Sequence, residues 1–214
     1  IEMFCEPDGH FPNHHPDPTL PEALETLIER VQETGADLGV GWDGDADRIG
    51  IVDVKGRIVW GDQILMLLSR EVLAKQPGAP ILFEVKCSQG LEDEVKRLGG
   101  TPVMYKTGHS LIKAKMKEIH APLAGEMSGH IFFADEWYGF DDALYSTCRL
   151  ARLLAAQDKP LDALVDQLLL PNVHVSVFPA LMSAAPPRGD EALGIIDRKL
   201  LVEGLEPAEL LACF

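Results

Sequence analysis

The sequence predicts an α/β fold with a mixed, mostly parallel sheet and flanking helices. Short apolar runs typical of strands, at 81–85, 102–105 and 121–124, alternate with amphipathic stretches typical of helices. Turn residues separate the two kinds of segment, as Gly99-Gly100 does after one helical stretch. Strands that alternate with helices form βαβ units, and their crossover connections make neighbouring strands parallel.

The first sixty residues show a different pattern. The stretch 6–18 is rich in proline and histidine and is expected to be a loop, because proline disrupts helices and central strands. A helix is predicted over 20–34, followed by strands at 36–42 and 49–54. The run 57–60 follows a Lys-Gly turn signal and is expected to pair back as a hairpin.

The second part of the chain contains most of the predicted helices. Aspartate and serine are good helix N-caps, so Asp62, Ser88 and Ser110 are expected to cap three of them. The predicted helices are 62–76, 88–98, 111–119, 141–156 and 161–169.

These patterns divide the chain into three predicted parts. Residues 1–60 are expected to be the end of one domain, because their strands have too few partners to bury both faces. Residues 61–170 hold the alternating strands and helices of one compact domain. Residues 171–214 are too few for an independent core and are expected to be a linker and an incomplete further domain.

Charge and composition exclude several classes of protein. The net charge of −15 disfavours nonspecific binding to nucleic acid. No apolar run approaches the ~20 residues of a membrane span, and no basic-then-apolar leader opens the chain. The four cysteines are scattered without a CxxC pair, which argues against a zinc site or a disulfide framework. We expect a cytoplasmic protein with reduced thiols.

Alternating carboxylates mark the candidate metal site. Asp43, Asp45 and Asp47 lie between two apolar runs and are followed by Arg48. Three close carboxylates repel one another, and a cation among them would offset that cost. Aspartate oxygens suit a hard ion such as Mg²⁺, although a solvated turn remains an alternative. An EF-hand is excluded, because its sixth and twelfth positions, counted from Asp43, hold Arg48 and Val54.

Polar loops follow three of the predicted strands, where parallel sheets bind ligands. If these strands are parallel neighbours, the loops share one edge of the sheet. Carboxylate, hydroxyl and imidazole groups there would suit sugar hydroxyls, and lysine and imidazolium would suit phosphate. The candidate binding residues in these loops are Lys86, His109, Glu126, Ser128 and His130.

An aspartyl phosphatase of the haloacid dehalogenase type is one alternative for the aspartate loop. The spacing of Asp43 and Asp45 fits its nucleophile and acid, and Asp141-Asp142 resembles its later acidic pair. That family has no place for the Gly-Glu-Met-Ser-Gly-His stretch at 125–130.

Four motifs in order resemble the α-D-phosphohexomutase superfamily, most closely its bacterial phosphomannomutase/phosphoglucomutase branch. They are the opening segment 8–18, Asp-Gly-Asp-Ala-Asp-Arg at 43–48, Lys-Thr-Gly-His-Ser at 106–110 and Gly-Glu-Met-Ser-Gly-His at 125–130. The resemblance implies that 1–60 is the end of the second of four domains and 61–170 the third. Residues 171–214 would then be a remnant of the fourth.

The resemblance also implies residue roles. Asp43, Asp45 and Asp47 would bind Mg²⁺, with Arg48 beside the metal. Glu126 and Ser128 would hold sugar hydroxyls. The basic residues lining the cleft near substrate or phosphate would be Lys86, His109 and His130.

The implied activity is interconversion of hexose 1-phosphate and hexose 6-phosphate, mannose or glucose, through a phosphoserine enzyme and a bisphosphorylated sugar. The family's phosphoserine loop, of the Thr-Ala-Ser-His-Asn-Pro type, does not occur in this sequence. Its Arg-Ala-Ser-Asn-Thr type phosphate clamp does not occur either. We therefore expect the chain alone to lack turnover. A metal- or phosphosugar-binding module without catalysis is the second hypothesis.

Overall fold

The computed structural model describes residues 1–6 and 8–168. The predicted part 171–214 lies outside these residues. The helices are α1 Pro21–Thr34, α2 Gly61–Lys75, α3 Gln89–Arg97, α4 His109–Ile119, α5 Ala143–Ala155 and α6 Leu161–Asp166. The strands are β1 Leu38–Trp42, β2 Ile49–Asp53, β3 Ile58–Val59, β4 Pro80–Glu84, β5 Thr101–Tyr105, β6 Leu123–Gly125 and β7 Ile131–Phe133.

The first sheet is antiparallel, in the order β1-β2-β3. Helix α1 packs on one face, where Leu24 and Val31 form a small cluster with Val52 of β2. The opposite face of β2 presents Ile49 and Ile51 to the main core of the molecule. Every residue of β2 is therefore buried, which corrects, for this strand, the expectation of too few partners for both faces. Strand β1 keeps half-buried and exposed residues.

The second sheet has the order β5-β4-β6-β7. Strand β4 runs parallel to β5 and β6, and β7 is antiparallel to β6. This arrangement confirms the predicted mixed, mostly parallel sheet. Side chains of β4 alternate between its two faces. Ile81 and Phe83 enter the main core with α2, α3 and α5, whereas Leu82 joins a smaller core with α4.

Two of the predicted N-caps are wrong. Helix α2 begins at Gly61, and the Gln63 side chain accepts the backbone N–H of Trp60 at 3.0 Å. Asp62 instead accepts the backbone N–H of Ser88 at 3.1 Å, from the loop after β4. Helix α4 begins at His109, one residue before the predicted Ser110 cap. The Asp62 prediction failed because a side chain that bonds a distant backbone group looks like a local cap in the sequence.

Both sheets belong to one compact unit. The main core joins them, since it contains Ile51 of the first sheet and Phe83 of the second. The division of the chain at residue 60 stays a prediction. Among the described residues, no helix combines the length and apolarity that crossing a membrane requires.

Candidate functional site

The three aspartates converge in the tight loop between β1 and β2. The loop is closed by hydrogen bonds from the Asp43 N–H to the Arg48 carbonyl (3.3 Å) and from the Ala46 N–H to the Asp43 carbonyl (3.2 Å). Ala46 has a φ of 58°, a left-handed conformation that is uncommon outside glycine and costs energy. One carboxylate oxygen from each of Asp43, Asp45 and Asp47 lies within 4.8 Å of the others.

The carboxylates differ in their surroundings. Burial raises the pKa of Asp43, but hydrogen bonds from Arg48 Nε (2.7 Å) and from two backbone N–H groups more than offset it and lower the pKa. Burial and the carboxylates of Asp43 and Asp45 raise the pKa of Asp47 to about 6. Negative charge is therefore in excess within an all-oxygen donor set. These residues fit a hard divalent cation, and they form a possible acidic metal-binding cluster.

Arg48 is held between two carboxylates rather than free beside the cluster. Its Nε donates to Asp43, and its Nη1 donates to Asp17 Oδ1 at 2.9 Å. Asp17 belongs to the proline-rich loop and was not singled out from the sequence. Only the resemblance of segment 8–18 to the family's opening motif pointed to it.

The parallel order β5-β4-β6 brings the three polar loops to one edge of the second sheet. Glu126, which is 3% exposed, follows β6 and accepts the backbone N–H of Gly108 at 2.6 Å. Burial, together with the nearby Glu84 carboxylate, raises the pKa of Glu126. Gly108 follows β5, so this hydrogen bond ties two of the loops together. Ser128 lies in the same loop as Glu126 and is half-buried.

Two imidazoles form the next part of the site. The rings of His109 and His130 stack with centroids 5.5 Å apart. Asp141 Oδ2 lies 3.0 Å from His130 Nδ1 and 3.4 Å from His109 Nδ1. Burial lowers the pKa of His130, but Asp141, Asp47 and Glu126 more than offset this and raise it.

Asp141 is also paired with a cation, since Lys113 Nζ lies 2.9 Å from its Oδ1. From the sequence, Asp141 is predicted only as the start of a helix and as part of the phosphatase alternative. Its proximity to the imidazoles was hidden because it follows β7 by an irregular loop. One ligand-capable atom of each of Asp47, His109 and Asp141 lies within 4.8 Å of the others.

Backbone pairing joins the aspartate loop to the loop at 125–130. Arg48 and His130 form an antiparallel bridge, and the Ile49 N–H donates to the Gly129 carbonyl at 3.1 Å. His130 Nδ1 consequently lies 3.7 Å from Asp47 Oδ1. The structure thus brings the predicted metal ligands and the predicted sugar-binding loop into one site.

Lys86 occupies the third loop, after β4. Its Nζ lies 3.3 Å from Glu84 Oε1. Its positive charge partly offsets the rise in the pKa of Glu126. Glu84 was noted in the sequence only as a polar interruption of an apolar strand. The predicted site residues therefore lie in neighbouring loops, except His109, which is the first residue of α4. Asp17, Glu84 and Asp141 are unpredicted neighbours.

Comparison with known proteins gives consistent matches. A family model described as phosphoglucomutase/phosphomannomutase, alpha/beta/alpha domain III, matches residues 60–171, and the corresponding domain II model matches residues 1–56. The chain is 50% identical over 181 residues to the phosphomannomutase/phosphoglucomutase of Pseudomonas putida, covering 83% of this chain and 39% of that protein. It is 48% identical over 179 residues to the phosphoglucomutase of Neisseria gonorrhoeae, covering 82% and 39% of the two.

A solved structure also matches. It is a phosphoglucomutase/phosphomannomutase family protein from Burkholderia thailandensis, with a TM-score of 0.76 and 52% sequence identity. The match covers 80% of this chain and 37% of that one. The chain spans about two fifths of the length of the curated relatives that it matches. The resemblance that the four motifs predicted is confirmed: the chain belongs to the phosphoglucomutase/phosphomannomutase family.

Proposed function

We propose that these residues supply the metal-binding and sugar-binding loops of a phosphohexomutase that interconverts hexose 1-phosphate and hexose 6-phosphate. The observation that carries the proposal is the pairing of Arg48 with His130, which joins the aspartate loop to the loop of Glu126 and Ser128. The names of the relatives, phosphomannomutase and phosphoglucomutase, support mannose and glucose phosphates as substrates. A cytoplasmic location stays a prediction.

In this proposal, Asp43, Asp45 and Asp47 hold Mg²⁺, and Arg48 fixes Asp43 within that set. When bound, Mg²⁺ would neutralise charge on the transferring phosphoryl group. Burial and the neighbouring carboxylates of Asp43 and Asp45 raise the pKa of Asp47, and a bound cation would favour its ionised form.

The remaining residues bind and orient the sugar phosphate. Glu126 would accept hydrogen bonds from sugar hydroxyls, and the Ser128 hydroxyl would donate to them or accept from them. His130 Nδ1 lies 3.0 Å from Asp141 Oδ2, and its Nε2 would exchange a proton with a hydroxyl or contact phosphate. Lys86 and His109 would contribute positive charge to phosphate binding in a protein whose net charge is −15.

Family membership removes the support for an aspartyl phosphatase. Asp43 is also poorly placed as its nucleophile, because Arg48 and two backbone N–H groups occupy both of its carboxylate oxygens. A binding module without catalysis remains the second candidate, since the sequence contains the sugar loop and aspartate loop but not the phosphoserine motif.

Isothermal titration calorimetry of the 214-residue chain with glucose 1-phosphate and mannose 1-phosphate, in the presence of Mg²⁺, tests the proposed binding site. We expect saturable binding that E126Q weakens by about tenfold or more, because a site built to accept sugar hydroxyls loses its charge. The control variant E118Q removes an exposed glutamate from α4 and should leave the affinity unchanged. If neither sugar phosphate binds at millimolar concentration, the proposal is contradicted.

A further inference from the structure

The carboxylate of Glu84 lies beneath the candidate site and is completely buried, with 0% of the residue exposed. It ends strand β4, whose preceding residues are apolar core residues. A buried carboxylate is costly unless charged or polar groups pair with it. The groups that pair with Glu84 therefore indicate what its presence achieves.

Each of the three polar loops supplies one of those groups. The Thr107 hydroxyl, in the loop after β5, donates to Glu84 Oε2. The Met127 backbone N–H, in the loop after β6, donates to Oε1 at 2.9 Å. Lys86 Nζ, in the loop after β4 itself, lies 3.3 Å from Oε1.

The topology explains why position 84 can reach all three loops. Strand β4 lies between β5 and β6 and runs parallel to both. The end of β4 is therefore flanked by the ends of β5 and β6, and a side chain there has a ligand-facing loop on either side. A charged acceptor at this point links loops that are distant in the sequence. Glu84 and Met127, for example, are 43 residues apart.

The hydrogen bonds of Glu84 act on residues next to the ligand-binding groups. Thr107 precedes Gly108, whose N–H donates to Glu126 at 2.6 Å. Met127 lies between Glu126 and Ser128. Gly61 of α2 also approaches this loop closely, because a Cβ added there would lie 2.4 Å from the Glu126 carbonyl oxygen. The Glu126–Ser128 backbone thus packs closely against Gly61 of α2 and is hydrogen-bonded by Glu84.

We propose that Glu84 is a positioning residue that fixes Lys86, the Thr107–His109 loop and the Glu126–Ser128 loop in one ligand-binding geometry. The inference rests on the proposed function, since it assigns those loops to sugar phosphate. It assigns no contact with substrate to Glu84 itself.

The test compares E84Q with E94Q in the 214-residue chain. Both glutamates are fully buried and both are paired with cations, but Glu94 lies on α3 and pairs with Arg70 and Arg97. E84Q should accelerate amide hydrogen exchange at Met127 and Gly108 by tenfold or more relative to wild type. It should weaken glucose 1-phosphate affinity by at least tenfold. E94Q should change neither the exchange rates nor the affinity, even if its melting temperature falls as much as that of E84Q.

Thr107→Val provides a second variant if E84Q does not fold. It removes one donor to Glu84 and should change exchange and affinity in the same direction by a smaller factor. Wild-type exchange rates at Met127 and Gly108 in the folded variants would overturn the proposal. Faster exchange with wild-type affinity would also overturn it, because Glu84 would then stabilise the loops without positioning ligand groups.

The two arms separate this inference from the proposed function. If the wild-type chain binds neither glucose 1-phosphate nor mannose 1-phosphate, the proposed function fails. The exchange comparison of E84Q with E94Q then decides by itself whether Glu84 holds the loops together.

Discussion

At the scale of single residues, the three aspartates of the candidate metal site are not equivalent. Asp43 is a structural centre of its loop, because its carboxylate accepts two backbone N–H groups and Arg48 Nε. Asp45 is exposed. Asp43 therefore supports the loop, whereas Asp45 is available to a cation.

The variant D45N should weaken Mg²⁺ binding by at least roughly tenfold without changing stability in the absence of metal, because it removes one anionic ligand. D43N should instead lower the free energy of unfolding by about 1–3 kcal/mol, because it leaves Arg48 partly unpaired. Calorimetric Mg²⁺ titration and urea denaturation measure the two effects. The exposed Asp37, replaced in D37N, is the control. Equal effects of D45N and D37N on Mg²⁺ affinity would contradict the assignment.

Glu94 is a buried residue whose ionisation contributes to stability away from the site. Burial raises its pKa, but hydrogen bonds from Arg97 and Arg70 more than offset this and lower the pKa below its ordinary value of 4.5. A carboxyl group with a lowered pKa in the folded state stabilises the protein above its unfolded pKa. That contribution disappears as the pH falls through the folded pKa.

The stability difference between wild type and E94Q should therefore be largest at about pH 6–7 and should shrink below about pH 4.5. Urea denaturation of both proteins between about pH 3 and 7 measures this difference. E118Q removes an exposed ion pair and should show little difference from wild type at any pH, since exposed pairs contribute little. A difference between wild type and E94Q that stays constant with pH would refute the role of the ionised carboxylate.

At the scale of elements, the loop at 125–130 is held against strand β2 by a close backbone approach. Gly129 has a φ of +96°, and a Cβ added there would lie 2.5 Å from the Ile49 carbonyl oxygen. Only glycine permits both the conformation and the approach. The Arg48–His130 bridge lies next to this contact. Gly129 thus allows the connection between the candidate metal loop and the sugar loop.

Replacing Gly129 with alanine should lower the free energy of unfolding by about 2–4 kcal/mol, because backbone strain adds to a backbone clash. Gly99 offers a matched control, since its φ is +77° but a Cβ there would meet nothing within 4 Å. G99A should cost only about 1 kcal/mol, the effect of the positive φ alone. Urea denaturation of both variants gives the two values. Similar losses in G129A and G99A would show that contact with Ile49 is unimportant.

At the scale of the whole molecule, the described residues unite two sheets around one core but supply only part of the proposed catalytic machinery. The aspartate loop, the imidazole pair and the sugar loop meet at one site. The phosphoserine and phosphate-clamp motifs of the family do not occur in the sequence. Phosphoryl transfer through an enzyme serine therefore requires residues that this sequence does not contain.

The purified 214-residue chain should accordingly show no conversion of glucose 1-phosphate to glucose 6-phosphate, even with Mg²⁺ and glucose 1,6-bisphosphate. A coupled assay that detects glucose 6-phosphate measures this, with full-length Pseudomonas putida phosphomannomutase/phosphoglucomutase as the positive control. Sustained turnover by the chain at a rate proportional to its concentration would contradict the prediction.

The fold class was predictable from the sequence, because alternating strand and helix patterns and their turn residues are local properties. The sequence also located the aspartate loop and the three polar loops, because parallel strands bring their carboxyl-end loops to one edge. Helix caps were predicted less well. Asp62 lies inside α2 rather than at its N-cap, and its carboxylate also accepts the backbone N–H of Ser88 in the loop after β4. Such a long-range partner has no local signature.

Only the tertiary structure decided which side chains support those loops. Asp17 reaches Arg48 across 31 residues, Glu84 reaches Met127 across 43, and Gly129 meets Ile49 in another sheet. It also decided that β2 is buried on both faces, since the second face packs into the core of the other sheet. The physical reason is the same in each case: sequence periodicity encodes burial and local conformation, whereas hydrogen bonds between distant segments depend on how the folded elements pack together.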